Sequence, residues 1–151
     1  MADIRFYTLA DAAGPARLKK VCALTEQAFL QGDRILVWLE DAAALGAFDN
    51  LLWTFGDRSF VPHEPLAALP SACESPVQLF AGSELPDAAQ QAGFHTLVML
   101  RTHASDAVLR FPRVIEVIDS DPACRSAGRA RFRFYRDHGC EPQHQDVAAS
   151  G

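Results

Sequence analysis

Signatures that usually announce chemistry are missing from this chain. It contains no G-x-G-x-x-G and no G-x-x-x-x-G-K-[ST], so the glycine loops that cradle phosphates are absent and a nucleotide site is not expected. It has no G-x-S-x-G elbow, and Ser59 with His63 nearby is weak evidence because triads are assembled in space. His63, His95, His103, His138 and His144 form no H-x-x-x-H or H-E-x-x-H pattern and read as surface or loop residues. Cys22, Cys73, Cys124 and Cys140 are widely separated, without a C-x-x-C pair, which argues against a zinc site or a redox motif and for reduced structural thiols. Glu40–Asp41 would make a carboxylate pair at a strand end, although a helix cap accounts for Asp41 more simply. The motifs therefore supply no catalytic residue, no metal ligand and no cofactor.

Long apolar runs are missing too. None approaches the ~20 residues that cross a bilayer, and the chain enters a strand almost at once, with no signal peptide, so a cytoplasmic location is expected. Positive charge is in deficit: 14 Lys and Arg stand against 19 Asp and Glu, for a net charge of −5 and a pI near 5.4. Tight general binding to nucleic acid depends on neutralising many phosphates, and this balance opposes it.

What is present alternates between strand and helix. IRFYTL (Ile4–Leu9) is a short strand, and Ala16–Gln31 repeats apolar residues at helical spacing until Gly32 ends it. RILVWL (Arg34–Leu39) is a near-continuous apolar strand of the sort covered on both faces. Asp41 caps a second helix to about Phe55. Gly56–Pro76 holds Pro62, Pro65, Pro70 and Pro76 and reads as an irregular loop, and Gly82–Gly93 as another. Pro76–Phe80, Phe94–Arg101 and Arg113–Ile118 read as further strands, with one or two helical turns at Ala104–Arg110. These elements predict an α/β fold: a single domain over residues 1–140, a mostly parallel twisted sheet of about five strands flanked by helices, and a nucleotide-binding-like topology without a phosphate loop. Residues 141–151 are expected to be a flexible tail.

The chain is organised around SDPACRSAGRARFRFYRDHG (Ser120–Gly139). Asp121 suits the N-cap, Pro122 the first helical position and Gly139 the residue past the last turn. At about 100° per residue, Arg125, Arg129, Phe132, Arg133 and Arg136 share one arc, while Ala127, Phe134 and Tyr135 face away. Arg131 falls on the packing side, where its stem is expected to lie along apolar surface with its head in water. A solvated helix face is the plain reading of a charge run. Yet Asp137 is the only acid from Arg125 to Gly139, so these arginines lack the carboxylates that accompany such a face, and Phe132 sets a ring among them. Arginine forks grip carboxylates in pairs, so the set favours an acidic peptide or its free carboxyl end. Trp53, Phe55, Phe60 and Val61 form a second set. Core packing is the plain reading of most of them, yet Leu51, Leu52 and Trp53 are consecutive, which leaves Trp53 nearest the outer side, where with Phe60 it would make a protein-binding patch.

LLWTFGDRSFVPHEPL (Leu51–Leu66) and ARFRFYRDHG (Ala130–Gly139), after the opening IRFYTL, resemble the chi subunit family of bacterial DNA polymerase III holoenzyme. The resemblance runs through most of the chain in order and weakens over Ala67–Gly93 and the tail. It implies a non-catalytic accessory subunit of the clamp loader. Such a subunit binds the acidic C-terminal tail of single-stranded DNA-binding protein on one surface and the psi subunit on another, meeting nucleic acid only indirectly. It carries the tail site onto Ile118, Arg125, Arg129, Phe132, Arg133, Arg136 and Gly139. The psi-facing surface falls on Trp53 and Phe60, with Val61 and Pro62 beside them. This chain has Phe132 where the family usually has a tyrosine, and Arg125 and Arg133 where it has lysines; charge and ring are kept and the hydroxyl is not. Two other classes compete: a small α/β enzyme with its site at the strand ends, and a protein that binds single-stranded DNA directly by stacking bases on Phe132.

Overall fold

The computed structural model describes residues 2–9, 14–54, 63–65, 76–85 and 93–147. Its centre is the apolar run Ile35–Leu39 (β2), buried at every position. Alternation sends Ile35, Val37 and Leu39 into one core and Leu36 and Trp38 into the other. Val77–Ala81 (β4) and Thr96–Leu100 (β5) flank it. Arg113–Ile118 (β6), Asp3–Thr8 (β1) and Gln143–Asp146 (β7) extend the sheet past β5, and His63–Pro65 (β3) closes it beside β4. The order is β3-β4-β2-β5-β6-β1-β7, and every neighbouring pair is parallel.

Pro15–Leu30 (α1) and Ala42–Thr54 (α2) cover one face. Val21, Cys22 and Ala28 of α1, with Phe48 and Leu52 of α2, pack on Val37, Val98 and Val117. The α2 cap is the expected one, since Ala44 N–H donates to Asp41 Oδ1 at 2.8 Å. Pro122–Asp137 (α3) covers the opposite face, where Tyr135 packs with Phe6, Trp38, Met99 and Val114. The turns expected near Ala104–Arg110 are a 3-10 helix at Asp106–Arg110.

Two strands go beyond the five expected. Within the stretch read as an irregular loop, His63–Pro65 pairs with β4. Within the segment read as a flexible tail, Gln143–Asp146 pairs with β1 from Arg5↔Gln143 to Thr8↔Asp146. QHQD has no apolar alternation and is exposed at every position, so propensity does not mark it. Backbone hydrogen bonding to β1 makes it a strand.

The topology also sets where a site can form. The chain leaves β1 through α1 toward β2 on one face, and leaves β6 through α3 toward β7 on the other. The paths diverge at the C-terminal ends of β1 and β6, the kind of switch point where open α/β sheets bind ligands.

Candidate functional site

The helix α3 has the ends its sequence predicts. Pro122 opens it, Cys124 N–H donates to Asp121 Oδ2 at 3.0 Å, and Gly139 follows with φ 87°. Mid-helix, Gly128 is buried against β6: a Cβ there would overlap Ile118 Cδ1 and lie 2.9 Å from its Cγ1. Glycine costs about 1 kcal/mol relative to alanine inside a helix, and here it permits α3 to sit low over the strand.

With the helix so placed, a groove opens between α3 and the outer strands. Its cavity, about 190 Å³, is floored by Phe6 and Thr8 of β1 and Ile118 of β6. Arg125, Gly128, Arg129 and Phe132 wall it from α3, and His144 of β7 lines it too. The Phe132 ring lies 5.2 Å from that of Phe6, half-buried at the core's edge rather than exposed among the arginines. Four of the predicted residues are thus together: Ile118, Arg125, Arg129 and Phe132. Arg133 and Arg136 are exposed on α3 outside the cavity, and Gly139 lies past the helix end. Among the described residues, Arg125, Arg129, Arg133 and Arg136 make no internal ion pair or side-chain hydrogen bond. Sequence reasoning missed Phe6, Thr8, Gly128 and His144; only the mid-helix glycine carried a signal.

Arg131 corrects the expectation of a head in water. It is 4% exposed, and its Nε donates to Glu116 Oε1 at 3.0 Å and Oε2 at 2.9 Å. Its Nη1 donates to the carbonyls of Arg101 and Thr102, and Tyr135 Oη donates to Glu116 Oε2 at 2.7 Å. Burial pushes the Glu116 carboxyl above its ordinary range, against the opposing pull of the Arg131 guanidinium. Burial and then the adjacent Glu116 push the Tyr135 phenol up. This triad pins α3 to β6.

The crevice at the strand ends, a cavity of about 380 Å³ lined by Gly14, Arg17, Leu18, Asp119, Asp121 and Cys124, has its backbone donors taken by the chain's own carboxylate. Asp119, 3% exposed, accepts from Gly14 N–H at 3.2 Å and from Asp121 N–H at 3.0 Å. A nucleotide-binding sheet offers such donors to a phosphate; here a carboxylate takes them. Cys124 at its edge is held toward the thiol by burial. Glu40 accepts from Arg101 Nε and Thr102 N–H at 3.3 and 3.1 Å, and Asp41 caps α2, so the suspected carboxylate pair is two separate structural contacts.

Trp53, in the last turn of α2, has 43% of its surface exposed, while Phe55, Ser59, Phe60, Val61, Pro62 and Cys73 lie outside the described residues. Cys22, Cys124 and Cys140 are free thiols. Among the described residues no group of three or more His, Cys, Asp or Glu could hold a metal, and no helix is long and apolar enough to cross a membrane.

Comparison with known proteins bears on the whole chain. Residues 1–143 match the family model described as DNA polymerase III chi subunit, HolC. DNA polymerase III subunit chi of Pseudomonas aeruginosa is 34% identical over 141 residues, 92% of each chain. The protein of the same name from Escherichia coli is 27% identical over 119 residues, 79% of this chain and 78% of its own.

Proposed function

From the premise that this chain belongs to the DNA polymerase III chi subunit family, we propose that it is a non-catalytic adaptor of the clamp loader. It binds the acidic C-terminal tail of single-stranded DNA-binding protein in the groove between α3 and β7. One observation carries the reading: arginines without partners among the described residues line an apolar slot on a molecule of net negative charge. Arg125 and Arg129 grip the terminal carboxylate and nearby acidic side chains, Arg133 and Arg136 extend the cationic strip outward, and Phe6, Ile118 and Phe132 receive the last apolar side chain. A second surface, marked by the exposed Trp53, joins the psi subunit and so tethers the tail to the clamp loader.

The test is capture of intact single-stranded DNA-binding protein set against the same protein lacking its final residues. Only the intact form is retained. In calorimetry with the isolated tail peptide, Arg129→Ala lowers affinity at least several-fold and leaves the fold unchanged. The loss falls at the low end for a charge-assisted bond, because the side chain is exposed. Added salt weakens binding. Equal affinity in Arg129→Ala removes this assignment. Direct binding of single-stranded DNA would instead show a salt slope of about −0.7 for every phosphate contacted.

A further inference from the structure

The groove has a wall that the arginine strip does not supply. His144 stands on β7, paired in the sheet opposite Phe6, so its ring projects to the α3 side of the sheet with Phe6 and Thr8. Its Nε2 lies 2.8 Å from Thr8 Oγ1 and 3.5 Å from Asp146 Oδ1. Two contacts on one nitrogen fix the ring's orientation, and among the described residues Nδ1 has no partner. The side chain remains 54% exposed, open to whatever enters the groove.

We infer that His144 is a specificity-determining residue of this groove, and that it takes up a proton from solvent when an anionic chain terminus docks. The inference rests on the acidic-tail reading above. The charged groups that face the ring are Arg125 and Arg129 from α3 and Asp146 from its own strand; β1 and β6 present Thr8, Phe6 and Ile118. The two guanidiniums outnumber the one carboxylate. A docking carboxylate redresses that balance, and an imidazolium Nδ1–H gives it a further donor. Only the doubly protonated ring keeps its Nε2 contacts and donates from Nδ1 as a cation, so the contact strengthens with protonation. Binding and proton uptake are thereby linked, and affinity falls as pH rises.

The experiment is calorimetry of the full chain with the acidic tail peptide at pH 7, in buffers of low and high ionisation enthalpy, and over pH 6 to 8. The wild-type enthalpy changes with the buffer in the sense of proton uptake, and its affinity drops several-fold from pH 6 to pH 8. In His144→Gln, which keeps an amide donor for Thr8 but cannot titrate, the buffer dependence disappears and the pH profile flattens. Melting temperature monitors its fold. His138→Gln serves as control, because His138 sits 3.2 Å from Asp106, away from the groove, and stacks on Phe134; it should behave as wild type. A buffer-independent wild-type enthalpy, or the same slope in His144→Gln, overturns the inference. If Arg129→Ala still weakens the peptide in that case, the groove stands without His144. If Arg129→Ala binds like wild type, the groove reading fails and takes this inference with it.

Discussion

Arg129 and Arg131 are neighbours in sequence and opposites in the structure. Arg129 is exposed at the groove, whereas Arg131 is buried on Glu116, itself fully inside. Removing one member of a buried pair leaves the other charge without compensation and costs about 3–5 kcal/mol. Arg131→Ala should lose stability on that scale in urea unfolding, while Arg129→Ala, at an exposed position, should stay within roughly 0.5 kcal/mol of wild type. Equal losses would contradict the division. Helical angle alone assigned Arg131 to the inner side, but its partner lies on β6, and which β6 side chains face α3 depends on sheet register that no local pattern reveals. Gly128 sharpens the argument. An added Cβ would displace Ile118 from the groove floor, so Gly128→Ala should destabilise by about 1–3 kcal/mol and also weaken the tail peptide. A variant that binds as wild type would mean that the floor is not used.

At the scale of elements, what could be read depended on where the forming force lies. β2 and β5 announce themselves because strands buried on both faces must be apolar. The ends of α3 announce themselves because cap residues act locally. β7 does neither; its four exposed residues are held by pairing with β1, and Val147 N–H continues the ladder to the Thr8 carbonyl at 2.9 Å. The groove was legible on its helix wall and illegible on its strand wall for that reason. Truncation after Pro142 should therefore do two things. It strips His144 from the groove and lowers tail affinity, and it turns β1 into a bare edge that invites pairing with another copy. Light scattering should show concentration-dependent association that the full chain lacks. A truncated chain that stays monomeric and binds normally would make β7 incidental.

Over the whole molecule, burial holds protons on weakly acidic groups in the cores of both faces, Cys22 on one and Tyr135 on the other, and this gives stability a predictable pH dependence. Cys22 of α1 is fully buried, and burial pushes its thiol up to about 12. In the unfolded chain a thiol titrates near 8.5 and a phenol near 10. The native state thus keeps protons that the unfolded state gives up. The stabilisation from Cys22 is complete below about pH 8.5 and is lost as pH rises toward the folded value. The slope is at most about 1.4 kcal/mol per pH unit for one such group. Tyr135, raised by burial and Glu116, adds a second loss once its unfolded phenol ionises. Melting temperature should hold to about pH 8 and decline from there to pH 10. In Cys22→Ala the decline should be shallower, even though the cavity lowers the starting point, because the slope reports proton binding and the intercept reports packing. A wild-type profile flat from pH 8 to 10 would show that the thiol ionises as freely in the folded chain as in the unfolded one, which a core packed around Cys22 does not permit.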